Sequence, residues 1–187
     1  MEIQERLYSV EEFWEIALLP ENEHKRLELI NGEIVEMPPS STENGIIAGW
    51  IIHLLLTFIA PKRLGYVTTP DTGYRLGPNT VAQPDVGFIS MARSGPVPSK
   101  EFPVGPDLAV EVISPSEAAT SINDKVRAYF GAGTRQVWLV FPTTQTVHVY
   151  TASDQVKILG IEGEIDVSGV LPGFTLKVAQ IFEAVKQ

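Results

Sequence analysis

Asp85 in QPDVGFIS, Glu111 in PDLAVEVISPS and Lys125 in SINDKVRAYFGAG have types and settings that suit chemistry on phosphate esters. The first two are carboxylates in strongly apolar, strand-like runs, and the third is a lysine on a helix just downstream. A buried carboxylate is costly unless a cation, a metal or a set of hydrogen bonds offsets it. Two acidic side chains at the ends of neighbouring strands therefore either repel or are joined by a divalent cation, here Mg²⁺ or Mn²⁺. A lysine nearby supplies a charge that can hold a phosphate or orient a water. Metal-assisted hydrolysis is the chemistry to expect.

Each of these residues also has a plainer explanation. Asp85 follows Pro84 and can serve as a turn aspartate capping nearby amides. Lys125 can be a solvated helix charge paired with Asp124 or Glu117. Glu111, inside LAVEVI, has few solvated options in a central strand, so it needs a cation or hydrogen-bond donors. Around the trio, Gln83 lies two positions before Asp85, on the same face of an extended chain, where it could hold a water. Glu28 and Glu43 are candidates for a further acidic ligand, since magnesium keeps several waters and takes few protein carboxylates. The commoner role of such glutamates is an exposed strand or capping position. His53, in an apolar helix, reads as a core or interface histidine, and Trp50 and Trp138 as packing residues.

The whole chain sets bounds on this reading. Its 187 residues, 44% hydrophobic and 20% charged, suffice for one domain with a real core, and no repeat divides it. The absence of cysteine excludes disulfides, thiolate zinc sites and cysteine nucleophiles. His24, His53 and His148 are too scattered for a local zinc motif. MEIQERLYSV lacks the basic and apolar regions of a signal peptide, and the apolar stretch Ile46 to Ala60 is short for a membrane span. A soluble, cytoplasmic protein without a membrane partner is expected. The net charge of −9 counts against non-specific nucleic-acid binding but not against a nuclease, because acidic sites recruit their own cations.

The elements that must position these residues can be traced along the chain. YSVEEFWEIALL reads as a helix capped by Ser9, and RLELINGEIVEMP as a hairpin about Asn31-Gly32 that buries Leu27, Leu29, Ile34 and Met37. NGIIAGWIIHLLLTFIA reads as a helix with no polar face, buried on several sides and ended by Pro61. GYVTTPDTGYRL and VAQPDVGFIS read as two strands joined at Gly77-Pro78-Asn79, followed by a loop from Met91 to Pro106. DLAVEVIS is the clearest central strand; a helix to Phe130, two more strands, and short strands with a terminal helix from about Val178 follow. Helices alternating with strands over a mixed sheet give an α/β or α+β class. Residues 8–38 form the N-terminal helix and hairpin, 44–150 the core, and 155–187 the C-terminal strands and helix.

The blocks ELINGEIVEMPP, DTGYRLGPNTVAQPDVGFIS, GPDLAVEVISPS, DKVRAYFGAGTRQVWLVFP and VHVY resemble, in order and spacing, the Uma-type family of restriction-endonuclease-like proteins in the PD-(D/E)XK nuclease superfamily. The resemblance runs from about Tyr8 to Phe182. It implies an αβββαβ core around a metal-dependent phosphodiester-cleaving site. Asp85 then matches the aspartate of the PD motif and Glu111 the acid of E-x-K. Ile113 stands where that motif has its lysine, and the resemblance implies that Lys125, on the following helix, replaces it. Asn44 departs from the family too: many relatives have HG where this chain has NG, and loss of a contributing histidine would reduce activity.

These readings converge on a DNA endonuclease holding Mg²⁺ or Mn²⁺ between Asp85 and Glu111, with Lys125 stabilising negative charge. A catalytically silent nuclease fold used for binding or assembly is the alternative of another class. A metal-dependent hydrolase of small phosphoesters ranks below it. The apolar helix suggests a homodimer. Lys125→Met is expected to reduce catalysis with little loss of stability.

Overall fold

Ser9 starts the first helix, α1 (Val10–Ala17): its hydroxyl accepts from Glu12 N, while the Glu12 carboxylate accepts from Ser9 N. This reciprocal pair satisfies two amides at the helix end. Asn31 and Gly32, both at positive φ (52° and 88°), then turn β1 (Leu27–Ile30) back into β2 (Glu33–Glu36). In this computed structural model, residues 6–115 and 117–186 are described. Residues 1–5 of the segment inspected for a signal peptide lie outside them.

Ser41 caps α2 (Thr42–Ile59), accepting from Asn44 N. There follow β3 (Gly65–Thr68), β4 (Tyr74–Gly77), β5 (Thr80–Ala82), β6 (Val86–Ser90), the short α3 (Met91–Ser94), β7 (Leu108–Val112), α4 (Ala119–Gly131) and β8 (Gln136–Phe141). The chain continues with β9 (Thr146–Ala152), β10 (Gln155–Leu159), β11 (Glu164–Asp166), β12 (Thr175–Lys177) and α5 (Val178–Ile181). A six-stranded sheet runs β10-β9-β8-β7-β6-β3, a four-stranded sheet β2-β1-β5-β4, and β11 pairs with β12. Among the strands of the described residues only β7 and β8 pair in parallel, and α4 makes the crossover between them. Taken as α2, β3, β6, β7, α4 and β8, the order is αβββαβ, a mixed sheet flanked by helices.

Two stretches that read as single strands are each divided between the sheets. Residues 65–75 break between β3 and β4, where Pro70 and Gly73 interrupt the run. Residues 82–90 break between β5 and β6, because Pro84 has no amide hydrogen to continue a ladder. The segment from Met91 to Pro106 is also better tied than a bare loop. After α3, Phe102 exchanges backbone hydrogen bonds with Gly73 and Arg75 and stacks its ring on Tyr74 at 5.2 Å. The terminal helix is one turn, extended by a 3-10 turn at Glu183–Val185.

Strand alternation divides the core. Leu108, Val110 and Val112 of β7 face Ile47, Ile51, Leu55 and Ile59 of α2. Ala109 and Ile113 face Val126 and Tyr129 of α4, so Glu111 points to the α4 side as well. At roughly 1.5–3 kcal/mol for each aliphatic side chain removed from water, the inward stripe of α2 is a principal stabiliser. The outward stripe of α2 is not buried: Ile46, Gly49, His53 and Leu56 are exposed, contrary to the expectation of a helix covered on several sides. At 18 residues α2 is long and apolar enough by composition to cross a membrane, also contrary to the sequence reading. Its inward stripe nonetheless belongs to the core of this domain.

Candidate active site

Pro84 ends the pairing of β6 with β7 at Val86 and Val110, and the Asp85 carboxylate takes over there. Its Oδ2 accepts the Val112 amide at 2.8 Å. This places Asp85 against the strand that carries Glu111. Both carboxylates border one cleft of about 280 Å³, shared with Arg26, Asn44, Glu117 and Lys125.

Lys125 and Tyr129, one turn apart on α4, both reach Glu111 Oε1: the phenol donates at 2.7 Å and the ammonium lies at 3.7 Å. The same ammonium is 3.4 Å from Glu28 Oε2, and Glu28 Oε1 accepts the Gln83 amide at 2.9 Å. Glu28 is fully buried although it belongs to the hairpin, because β1 pairs with β5 through Leu29 and Val81. Lys125 thus clasps a carboxylate from each sheet. On the far side, Arg26 Nη1 lies 3.3 Å from Asp85 Oδ1, and Nη2 donates to the Gln83 carbonyl.

Acids outnumber bases here. The cleft wall carries Glu36, Asp85, Glu111 and Glu117 against Arg26 and Lys125, with Glu28 close behind. Burial pushes the Glu111 carboxyl up to about 7; Lys125 opposes the shift, and Asp85 and Glu28 reinforce it. Burial works against the Lys125 ammonium, yet Glu111, Glu28 and Glu117 outweigh it and hold the lysine above its ordinary value. Burial, with the Glu111 and Glu28 charges, holds the Tyr129 phenol well above its usual range, so it remains a donor.

A hard divalent cation suits this donor set. Magnesium and manganese prefer carboxylate oxygens and take one or two of them with waters. Glu111 Oε2 receives no hydrogen bond among the described residues, and Asp85 Oδ1 is shared only with Arg26. No group of three or more His, Asp or Glu side chains forms a ready-made cage among the described residues.

The remaining candidates sit as follows. Asn44 borders the cleft, donating through Nδ2 to Val112 O at 3.1 Å and Ser114 Oγ at 3.2 Å. The Gln83 side chain lines a different cavity, beside Trp14 and Asp71, since the chain leaves β5 at Ala82 and bends at Asp85; only its backbone serves the cleft. Glu43 is exposed in the first turn of α2 and takes no part in the cleft. Arg26 and Tyr129 escaped the sequence reading. Spacing offered a signal for both: Arg26 lies two residues before Glu28 on an extended chain, and Tyr129 four after Lys125 on a helix.

Comparison with known proteins bears on the whole domain. No curated protein matches the chain. A solved structure from Anabaena variabilis ATCC 29413, titled "a putative nuclease belonging to DUF820", superposes with a TM-score of 0.82 at 21% identity. The match covers 95% of this chain and 99% of that one, and at this identity the likeness is one of fold. The model of the Uma2 family, described as "Putative restriction endonuclease", matches residues 10–179. The chain belongs to the Uma2 family.

Proposed function

We propose that this protein is a Mg²⁺- or Mn²⁺-dependent endonuclease that hydrolyses DNA phosphodiester bonds. The observation that carries the reading is Asp85 and Glu111 on one cleft, with Lys125 packed against Glu111. Membership of a family described as "Putative restriction endonuclease" favours the same substrate class.

In this reading Asp85 and Glu111 hold the cation, which when bound polarises the phosphate and lowers the pKa of the attacking water. Val112 N fixes one oxygen of Asp85, and Tyr129 fixes one oxygen of Glu111, so each carboxylate presents its other oxygen in a set direction. Glu28 anchors Lys125, whose ammonium stabilises charge developing on the phosphate as water adds to phosphorus and one P–O ester bond breaks. The protein acts in the cytoplasm as a homodimer, which pairs two cleavage sites across a duplex. The exposed stripe of α2 about Ile46 and Leu56 is the candidate contact.

The test is cleavage of single-stranded, duplex and supercoiled DNA with Mg²⁺, Mn²⁺ or chelator, paired with Glu111→Ala. Metal-dependent cleavage that the variant loses is expected; an inactive wild type across all forms and metals overturns the reading. Asn44 favours a second reading, a catalytically silent binding module. Its Nδ2 is spent on Val112 O and Ser114 Oγ rather than directed at a substrate. Mn²⁺ binding separates the two, since a silent scaffold has no need to retain it.

A further inference from the structure

Arg26 has no part in the mechanism above, yet its guanidinium reaches one acid of the cluster, Asp85, on the wall of the cleft. It makes two contacts there, with Asp85 Oδ1 and the Gln83 carbonyl, and its buried Nε has no partner among the described residues. Asp85 Oδ2 is committed to Val112 N, so Oδ1 is the oxygen left for a metal ion, and Arg26 already shares it. Two cations on one carboxylate oxygen repel strongly in a part-buried site.

From this geometry we infer that Arg26 and the divalent cation compete for Asp85, and that the released guanidinium turns to the substrate phosphate. The inference rests on the metal-site reading above. Without the cation, Arg26 offsets the charge of Asp85 and keeps the acids from driving one another apart. With the cation, the freed fork lies on the wall of the same cleft, and its planar donors match two phosphate oxygens. The arginine then joins Lys125 as a second cation for the substrate phosphate on the same cleft.

The experiment is Mn²⁺ titration, without DNA, of the wild type, Arg26→Gln and Arg26→Lys. A hydrogen bond between charged groups contributes enough that its removal should tighten Mn²⁺ binding by about tenfold or more in Arg26→Gln. Arg26→Lys, which keeps a competing charge, should stay near the wild type. At saturating Mn²⁺, Arg26→Gln should still cleave DNA at least about tenfold more slowly, through loss of the phosphate contact. A second measurement needs no variant: in the wild type, the Arg26 Nε–Hε resonance should shift on Mg²⁺ addition. Equal or weaker Mn²⁺ binding by Arg26→Gln, an unmoved resonance, or no ion binding by any of the proteins overturns the competition. Tighter binding with undiminished cleavage overturns the phosphate contact. A wild type that binds Mn²⁺ but leaves DNA intact fails the nuclease reading alone, since the affinity comparison requires no turnover.

Discussion

The Tyr129 phenol, fully buried, donates to Glu111 Oε1 at 2.7 Å on the α4 face of the core, at the buried edge of the cleft. A neutral donor therefore holds an acid that burial would otherwise keep protonated. Tyr129→Phe removes that donor at almost no cost in volume. It should destabilise the fold by about 1–3 kcal/mol, and it should raise the Glu111 pKa further. Mn²⁺ affinity measured against pH should then rise at a higher pH in the variant. An unmoved midpoint would remove Tyr129 from control of the acid.

Lys125→Met should cost more than activity. From the sequence alone, Lys125 is a helix charge whose removal leaves the core undisturbed. The ammonium is in fact buried between Glu28 and Glu111, so the substitution strands two buried carboxylates. Breaking such a pair from one side costs about 3–5 kcal/mol. Urea denaturation should show a drop of that order, largely relieved by adding Glu28→Gln and Glu111→Gln. A stable single variant would mean that the acids are held neutral instead.

The raised Glu111 value makes stability depend on pH in an unusual direction. With the folded value near 7 against 4.5 for the free acid, the native state binds more protons than the unfolded state between these limits. Stability from this group therefore falls as pH rises through that window, by about 3 kcal/mol once ionisation is complete. Lys125, held above its ordinary value, stays charged throughout and does not mask the effect. Glu111→Gln should accordingly gain in Tm over the wild type as pH rises from 5 to 8. Mg²⁺ should restore the wild type at pH 8 and do little at pH 5. A constant difference between the two proteins across that range would contradict the assignment.

The proposed dimer makes a separate prediction. Sedimentation at micromolar concentration should show two chains, and replacing both Ile46 and Leu56 with lysine should give one without lowering Tm, because both side chains are exposed. A monomeric wild type rejects the assembly. A dimer indifferent to the substitutions moves the contact elsewhere.

What the sequence disclosed was local. Ser9 as a cap, the Asn31-Gly32 turn and the apolar run around Glu111 each depend on residues a few positions apart, and each is visible in a short window. The division into two sheets was not visible, because it depends on Leu29 meeting Val81 and on where Pro84 interrupts a ladder. Glu28 shows the consequence: a short window makes it an exposed strand glutamate, whereas the pairing of β1 with β5 leaves it fully buried. Arg26 and Asp85 are 59 residues apart and meet through tertiary structure alone. Gln83 illustrates the converse error, since alternation assumes an extended chain and the chain turns there.

Two of the acids double as backbone acceptors: Glu28 receives the Gln83 amide and Asp85 the Val112 amide, both at positions without a β partner for that donor. Substituting alanine at either would strand a buried N–H, so an inactive Asp85→Ala or Glu28→Ala protein conflates architecture with chemistry. Glu111 carries no such duty among the described residues, its one hydrogen bond being to a side chain. It is the acid whose removal reports on reactivity with least confusion. An amide-exchange measurement at Val112 and Gln83 would show whether any acid-deleted protein still holds its two sheets together.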